Sequence, residues 1–333
     1  MSKIRVAING FGRIGRSAFK IIGEHKGMEV AAINDLTDSR TLANLLKYDT
    51  AYGIYDRNVS WEDGHIIVDK KKIPILAEKD QAKLPWREMK VSVVLECTGR
   101  FVKDGKAKLH LTAGAKRVVV SAPTKGEGDI QTYLLGVNDA DYKGDEVISN
   151  ASCTTNCLGP VAQVIAQNFG IKKAMMTTIH SYTQDQNLQD GPHKDLRRAR
   201  AAAQNIVPTT TGAAISVTEA IPTLKGKFDG IAVRVPTITG SLTDFTFLVN
   251  RPVTAEDINS AFIKAAASAK YKGILAVTSE PVVSSDIIGD SHSAIVDLEF
   301  TRVVDGDMVK VLAWYDNEWG YANRLVEQIE LVM

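Results

Sequence analysis

The sequence predicts an α/β protein built in two parts: an N-terminal doubly wound domain on a parallel sheet, then an α+β domain with a largely antiparallel sheet. Three observations carry this. Short β-rich apolar runs alternate with helical stretches through the first half. Longer alternating segments lie close together in the second half. A chain of 333 residues also exceeds what one ordinary core accommodates.

Lys3–Asn9 reads as a buried strand, Arg13–Glu24 as a helix and Glu29–Asn34 as a second strand. Val91–Glu96 and Arg117–Ser121 are further apolar runs, with helical composition across Asp104–Gly114 between them. Strand and helix in repetition give right-handed crossovers, and such sheets bind ligands beyond the carboxyl ends of their strands. After a helix at Cys153–Asn168 come strand-like segments at Lys173–Tyr182, Gly230–Pro236, Leu242–Asn250, Ala294–Phe300 and Asp307–Tyr315, with a helix near Ala255–Lys270. The expected divisions are 1–150, 151–316 and a C-terminal helix in 317–333 that returns to the first domain.

Composition narrows the function. A formal net charge of +1 argues against nucleic acid or an anionic membrane as the primary partner. No apolar run approaches the roughly 20 residues that span a bilayer, and MSKIRVAING shows no signal-peptide pattern. Three cysteines make no disulfide framework and no zinc spacing, so no metal is expected and the cytosol is the default compartment.

Gly10-Phe11-Gly12-Arg13-Ile14-Gly15 follows the first strand and opens the first helix. Gly10 permits a tight turn, Gly12 lets backbone amides approach a pyrophosphate, and Gly15 lets helix and strand pack closely. The helix N-terminus adds free N–H groups and a positive dipole end. Asp35 ends the second strand, 20 residues beyond Gly15 (35 − 15). There a carboxylate accepts from both hydroxyls of an adenosine ribose and repels a 2′-phosphate, which favours NAD over NADP. These are the marks of a Rossmann domain, although a methyltransferase binding S-adenosylmethionine shares the glycine turn.

Ser149-Asn-Ala-Ser-Cys153-Thr-Thr-Asn-Cys157 lies where a loop becomes a helix. Ser152 suits the N-cap and places Cys153 in the first turn, where the dipole would lower a thiol's pKa. Cys157 and Cys97 read as core. His180, at the end of an apolar run, is either a satisfied structural histidine or a site residue, and Cys153 alone is either a nucleophile or a small space-filler. The other five histidines, His110 among them, read as solvated. His193–Arg200 is a basic cluster followed by Pro208-Thr-Thr-Thr211-Gly212. Arg234, flanked by valines in a strand, needs a carboxylate or a phosphate as partner.

Taken in order, AINGFGRIGR, LLKYDT, SNASCTTNC, PHKDLRRARAAAQNIVPTTTGAA, RVPT and WYDNEWGY resemble the phosphorylating, NAD-dependent glyceraldehyde-3-phosphate dehydrogenases of glycolysis over nearly the whole chain. The resemblance implies Cys153 as nucleophile and His180 as acid and base. It implies Gly10, Phe11, Gly12, Arg13 and Ile14 at the cofactor diphosphate, Asp35 at its ribose, and Lys79, Thr98 and Ser121 around the adenine and ribose. Asn317 would orient the nicotinamide carboxamide. One phosphate pocket would use Thr183 and Arg234; the other Ser152, Thr154, Arg198, Thr211 and Gly212. A cytoplasmic homotetramer acting on small molecules is further implied. Ile215, Gly240, Arg100 and Lys79 depart from the usual pattern without removing a catalytic group. Erythrose-4-phosphate dehydrogenase is the nearest rival, and a non-catalytic nucleotide- or RNA-binding protein is the rival of a different class.

Overall fold

A computed structural model of the chain describes residues 3–128 and 130–333. They fall into two compact units: residues up to Tyr133 with Asp141–Ala151 and Ala322–Met333, and Leu134–Ala140 with Ser152–Tyr321.

The first unit begins with strand β1 (Ile4–Asn9), helix α1 (Arg13–Glu24), β2 (Met28–Asn34) and α2 (Ser39–Lys47). Two short strands, β3 (Tyr48–Asp49) and β4 (Gly53–Ile54), form a small hairpin. Then come β5 (Val59–Glu62), β6 (His65–Val68), β7 (Lys71–Leu76), β8 (Val93–Glu96), the short helix α3 (Leu109–Thr112), β9 (Arg117–Val120), β10 (Gln131–Thr132) and β11 (Val147–Ser149). Among the described residues they build one sheet in the order β10-β11-β9-β8-β1-β2-β7-β6-β5. From β10 to β7 every pairing is parallel; β6 and β5 add an antiparallel meander. That meander was not foreseen, because its strands are short and half-exposed and give little period-two signal.

The second unit carries α4 (Cys153–Phe169), β12 (Ile171–Ser181), β13 (Val207–Thr210), α5 (Ala213–Ala220), β14 (Phe228–Val235), β15 (Ser241–Val249), α6 (Ala255–Ala266), β16 (Leu275–Thr278), β17 (Ala294–Val304) and β18 (Met308–Tyr315). Their sheet runs β13-β14-β12-β15-β18-β17-β16; β12 with β14 and β16 with β17 are parallel, the rest antiparallel. α4, α5 and α6 cover one face through Leu158, Val161, Ile165, Val217, Ile258 and Phe262, packed on Phe245, Phe247, Val309 and Val311. Burial of such side chains contributes about 1.5–3 kcal/mol each. The last helix, α7 (Trp319–Val332), contributes Leu325, Val326 and Ile329 to the core of the first unit.

Two expectations need correction. The helix across Asp104–Gly114 is a 3₁₀ turn at Lys106–Lys108 followed by the four residues of α3. Left-handed backbone at Asp104 (φ 53°) and Gly105 (φ 66°) delays its start. His110 is not solvated but fully buried, on the inward side of α3. Its Nδ1 accepts from Trp86 Nε1 at 3.0 Å, which leaves Nε2 to donate to Glu96 at 3.0 Å. Gly240, one of the departures from the family pattern, sits at φ 87°, where a Cβ would lie 2.2 Å from the Ser284 carbonyl oxygen. No side chain fits there.

The glycine turn yields a paired prediction. A Cβ on Gly15 would meet Gly10 O at 2.1 Å, whereas a Cβ on Gly12 meets nothing within 4 Å. Gly15→Ala should therefore destabilise the first unit by about 1–3 kcal/mol through overpacking, while Gly12→Ala stays within roughly 0.5 kcal/mol of wild type. Thermal unfolding of the two variants side by side checks this; equal melting temperatures would contradict the packing account.

Candidate functional site

In the first unit the expected cofactor residues gather at the carboxyl edge of the parallel sheet. The strand order reverses direction between β1 and β8, and a Cβ on Gly10, after β1, would lie 2.8 Å from Thr98 N, after β8. Gly12 is the N-cap of α1, and its own side-chain space is open. The first N–H groups of α1 therefore face room for a diphosphate. Asp35 follows β2; one of its carboxylate oxygens accepts from Phe11 N at 2.8 Å, the other from Thr37 N at 2.9 Å. Each oxygen keeps a further lone pair for a ribose hydroxyl. Ser121 follows β9, and Lys79 lies exposed beyond β7. The Arg13 guanidinium bonds Asp49 at 2.6 Å and stacks over Tyr52, so the contact expected of Arg13 and Ile14 at the diphosphate falls to their backbone N–H groups rather than to that side chain.

Beneath this edge lies a buried polar chain that was not anticipated. Glu96, 1% exposed, accepts from Asn9 Nδ2, His110 Nε2, Thr98 N and Thr98 Oγ1. Asn34 Nδ2 donates to Asn9 Oδ1 at 2.7 Å, and Asn34 Oδ1 accepts from Glu78 N at 3.0 Å. A buried carboxylate is costly unless fully hydrogen-bonded, and here it is. The chain ties the ends of β1, β2 and β8 together and fixes Thr98. Nothing in the run Val93–Glu96 distinguishes a buried acid from a strand-end acid in solvent.

In the second unit Ser152 caps α4, its Oγ accepting from Thr155 N at 3.1 Å, and Cys153 is the first helical residue. His180 comes from β12 and pairs in register with Arg234 on parallel β14. Its Nε2 lies 3.4 Å from Cys153 Sγ. Its Nδ1 lies 2.7 Å from the Ser181 carbonyl oxygen, which can only accept. With the ring proton on Nδ1, toward that carbonyl, the Nε2 lone pair faces the thiol. Arg234 Nη1, which can only donate, lies 3.2 Å from the same carbonyl and 2.7 Å from Nδ1, and a bond to Nδ1 would put the ring proton on Nε2 instead. Its Nε is buried without a partner among the described residues, which suits an anionic ligand.

Electrostatics corrects one expectation. Burial raises the Cys153 thiol above its ordinary value, and the pull of Arg234 and the helix start only partly offsets it. Burial, then the Arg234 charge, pushes His180 down to about 3. Both shifts favour thiol and neutral imidazole over thiolate and imidazolium in the ligand-free protein. In that form Nε2 presents a free lone pair to the thiol.

Tyr315 was missed. Its hydroxyl bonds Thr178 Oγ1 at 2.7 Å and Thr154 Oγ1 at 3.0 Å, and its ring meets His180 edge-on at 6.0 Å. It locks the start of α4 to β12, and the motif WYDNEWGY held the only hint. The Thr154 hydroxyl is thus engaged, leaving its backbone amide for the phosphate role expected of it. Asn317 Oδ1 accepts from Ser241 Oγ at 2.8 Å and Thr239 Oγ1 at 3.2 Å, which turns its amide nitrogen outward as a donor. Thr211 and Gly212 begin α5, where a Cβ on Gly212 would meet nothing. The basic cluster is largely compensated: Arg200 pairs with Asp190 and Arg198 with Asp185 and Asp195. Thr183 Oγ1 also donates to Asp185.

No helix among the described residues is long and apolar enough to cross a membrane, and no cluster of three or more histidine, cysteine or acidic side chains there could hold a metal. Residues 4–104 match the family model described as the NAD binding domain of glyceraldehyde 3-phosphate dehydrogenase, and residues 152–317 match the model of its C-terminal domain. The glyceraldehyde-3-phosphate dehydrogenase of Mycolicibacterium smegmatis is 54% identical, with 99% of this chain and 98% of that protein aligned. The Mycobacterium tuberculosis H37Rv protein of the same name is 55% identical at the same coverage, and that of Streptomyces coelicolor is 53% identical over 97% of each chain. NAD is accordingly the cofactor, and the chain belongs to the glyceraldehyde-3-phosphate dehydrogenase family.

Proposed function

We infer that the protein oxidises D-glyceraldehyde 3-phosphate with NAD⁺ and inorganic phosphate to 1,3-bisphosphoglycerate, the glycolytic reaction. The observation that carries the reading is the 3.4 Å approach of His180 Nε2 to Cys153 Sγ, with the ring held by the Ser181 carbonyl. As sulfur adds to the aldehyde carbon, the thiol proton passes to Nε2; the imidazolium so formed stabilises the new oxyanion and then hands it that proton, giving the thiohemiacetal hydroxyl. The collapsing thiohemiacetal returns its hydroxyl proton to His180 as hydride departs, leaving a thioester on Cys153. NAD⁺, when bound, supplies the hydride acceptor. A phosphate oxygen then attacks the thioester carbon and the thiolate leaves, recovering its proton from His180. Arg234, whose buried Nε has no partner among the described residues, and Thr183 suit the substrate's phosphoryl group. Thr211, Gly212, Ser152, the Thr154 amide and Arg198 suit the incoming phosphate, since helix starts and guanidinium groups both bind oxyanions.

Asn317, with its oxygen held by Ser241 and Thr239, would donate to the nicotinamide carboxamide. The hydroxyl-rich Thr209–Thr211 loop favours this reaction over oxidation of erythrose 4-phosphate, which needs no acyl-accepting phosphate. A homotetramer is the expected assembly. The uncovered side of the second unit exposes Met175 (61%) and Ile231 (50%), and its long loop exposes Leu188 (78%) and Leu196 (82%). Apolar groups of this size at a surface favour burial against another copy. The three cysteines are all free, in keeping with a reducing cytoplasm.

Cys153→Ser should abolish phosphate-dependent NADH formation, by about a thousandfold or more, while NAD binding is kept. Mass spectrometry of wild type trapped during turnover should locate the acyl adduct on Cys153, and an adduct on any other residue would overturn the assignment. Rates with glyceraldehyde phosphate and erythrose phosphate, each with and without inorganic phosphate, separate the two substrates; faster turnover of erythrose phosphate without phosphate would reverse the choice.

His180→Asn should lower kcat by about 10²–10⁴-fold and move alkylation of Cys153 by iodoacetamide to higher pH. The same histidine marks acid stability. Its folded value near 3 lies below its ordinary 6.5, so the unfolded chain takes up the proton first, and stability present above 6.5 drains away as pH falls toward 3. Removing that titration should make the variant's melting temperature fall less than wild type's between about pH 7 and about pH 4.5. A steeper fall would show that His180 is already protonated in the folded protein.

A further inference from the structure

Asp185 lies on a turn between Thr183 and the rest of the long loop, and its carboxylate accepts from groups assigned to two different phosphate pockets. One oxygen takes the Thr183 hydroxyl and the other takes Arg198 Nη1. Its charge also acts on Arg234 and on His180. Asp195, the other acid beside Arg198, is a different kind of partner. It is anchored by the backbone N–H groups of Arg197 and Arg198, accepts from Thr209 Oγ1 at 3.1 Å and meets Arg198 from the Nε side at 3.5 Å. Asp195 holds the guanidinium in place. Among the described residues Asp185 has no backbone donor and is satisfied by the two side chains it engages. Arg198 Nε is committed to Thr209 Oγ1 at 3.0 Å and Nη2 donates to the Thr210 carbonyl at 3.3 Å, so the Nη1 edge is the one a phosphate would take.

Carboxylate and phosphate oxygens are equivalent acceptors for a guanidinium and a hydroxyl. We propose that Asp185 is a tethered internal competitor: its carboxylate occupies Thr183 and Arg198 in the ligand-free protein, and phosphoryl ligands bind by displacing it. This rests on the reading of Thr183 and Arg198 as phosphate-binding groups. A ligand that needs a state populated only part of the time has its affinity lowered by that fraction. With the turn closed most of the time, the apparent affinity falls by about three- to tenfold. The loop is then neutralised when empty and opens on an anion carrying more charge than its own.

Asp185→Asn should lower the KM for inorganic phosphate by about three- to tenfold and the KM for glyceraldehyde 3-phosphate in the same direction, with kcat moving less than either. KM for unphosphorylated glyceraldehyde should not fall. Asp190→Asn removes the same charge from the same loop, where Asp190 pairs with exposed Arg200, and should leave both KM values unchanged. If Asp185→Asn is too unstable to assay, Asp185→Ser serves for the same measurements. An unchanged or raised phosphate KM in the Asp185 variant, or an equal drop in Asp190→Asn, would overturn the competitor. Arg198→Ala tells that failure from failure of the underlying reading: its phosphate KM must rise, and an unchanged value removes Arg198 from the phosphate site altogether.

Discussion

Sulfur and imidazole at 3.4 Å make up the contact on which the second unit is organised. Neither residue holds that position alone. Cys153 is fixed because Ser152 ends the preceding chain with a capped helix start, and His180 because it closes the longest run of β12 with its Nδ1 on the next carbonyl. Tyr315, from β18, then bonds both neighbours, Thr154 and Thr178. A buried tyrosine hydroxyl needs partners, and satisfying it here also sets the separation of Cys153 and His180. The proposed reaction moves a proton between these two groups, so a small error in that separation would cost more than an error elsewhere in the sheet.

Much of the fold was legible where the side-chain period is strong. α1 begins and ends where expected because the glycine turn, the apolar face and the following strand agree with one another. β12, β15 and β18 were visible because each alternates a buried and a half-buried face. The helical reading of Asp104–Gly114 failed for a local reason: two consecutive left-handed residues carry no hydropathy signature. The antiparallel strands β5 to β7 escaped because they sit at a sheet edge with little to bury.

The site divides along the same line. Cys153, His180 and Asp35 sit at ends of elements, and element ends can be found from sequence. Tyr315, Asp185 and the Glu96–His110 pair are recognisable only by what faces them in space. His110 reads as a surface histidine between lysines, yet it holds a buried carboxylate that receives two hydrogen bonds from Thr98. Sequence separations of 14 between His110 and Glu96, and of 161 between Thr154 and Tyr315, explain why local pattern is silent about both. At Cys153 two effects that sequence reads unequally oppose each other: the helix start favours the thiolate, whereas desolvation of the sulfur raises the thiol.

The pairing of His180 with Arg234 across parallel neighbouring strands carries a geometric consequence. Two side chains at matched rungs stand one inter-strand spacing apart, about 4.8 Å. Their separation is therefore a property of the ladder rather than of either residue, and it works as a ruler for whatever lies across them. A one-residue slip of β12 against β14 would turn His180 to the opposite face of the sheet and destroy the measure at a stroke. Loops around such a ruler are free to diverge in length and charge, because the calibrated distance is written into main-chain hydrogen bonds that no surface substitution touches.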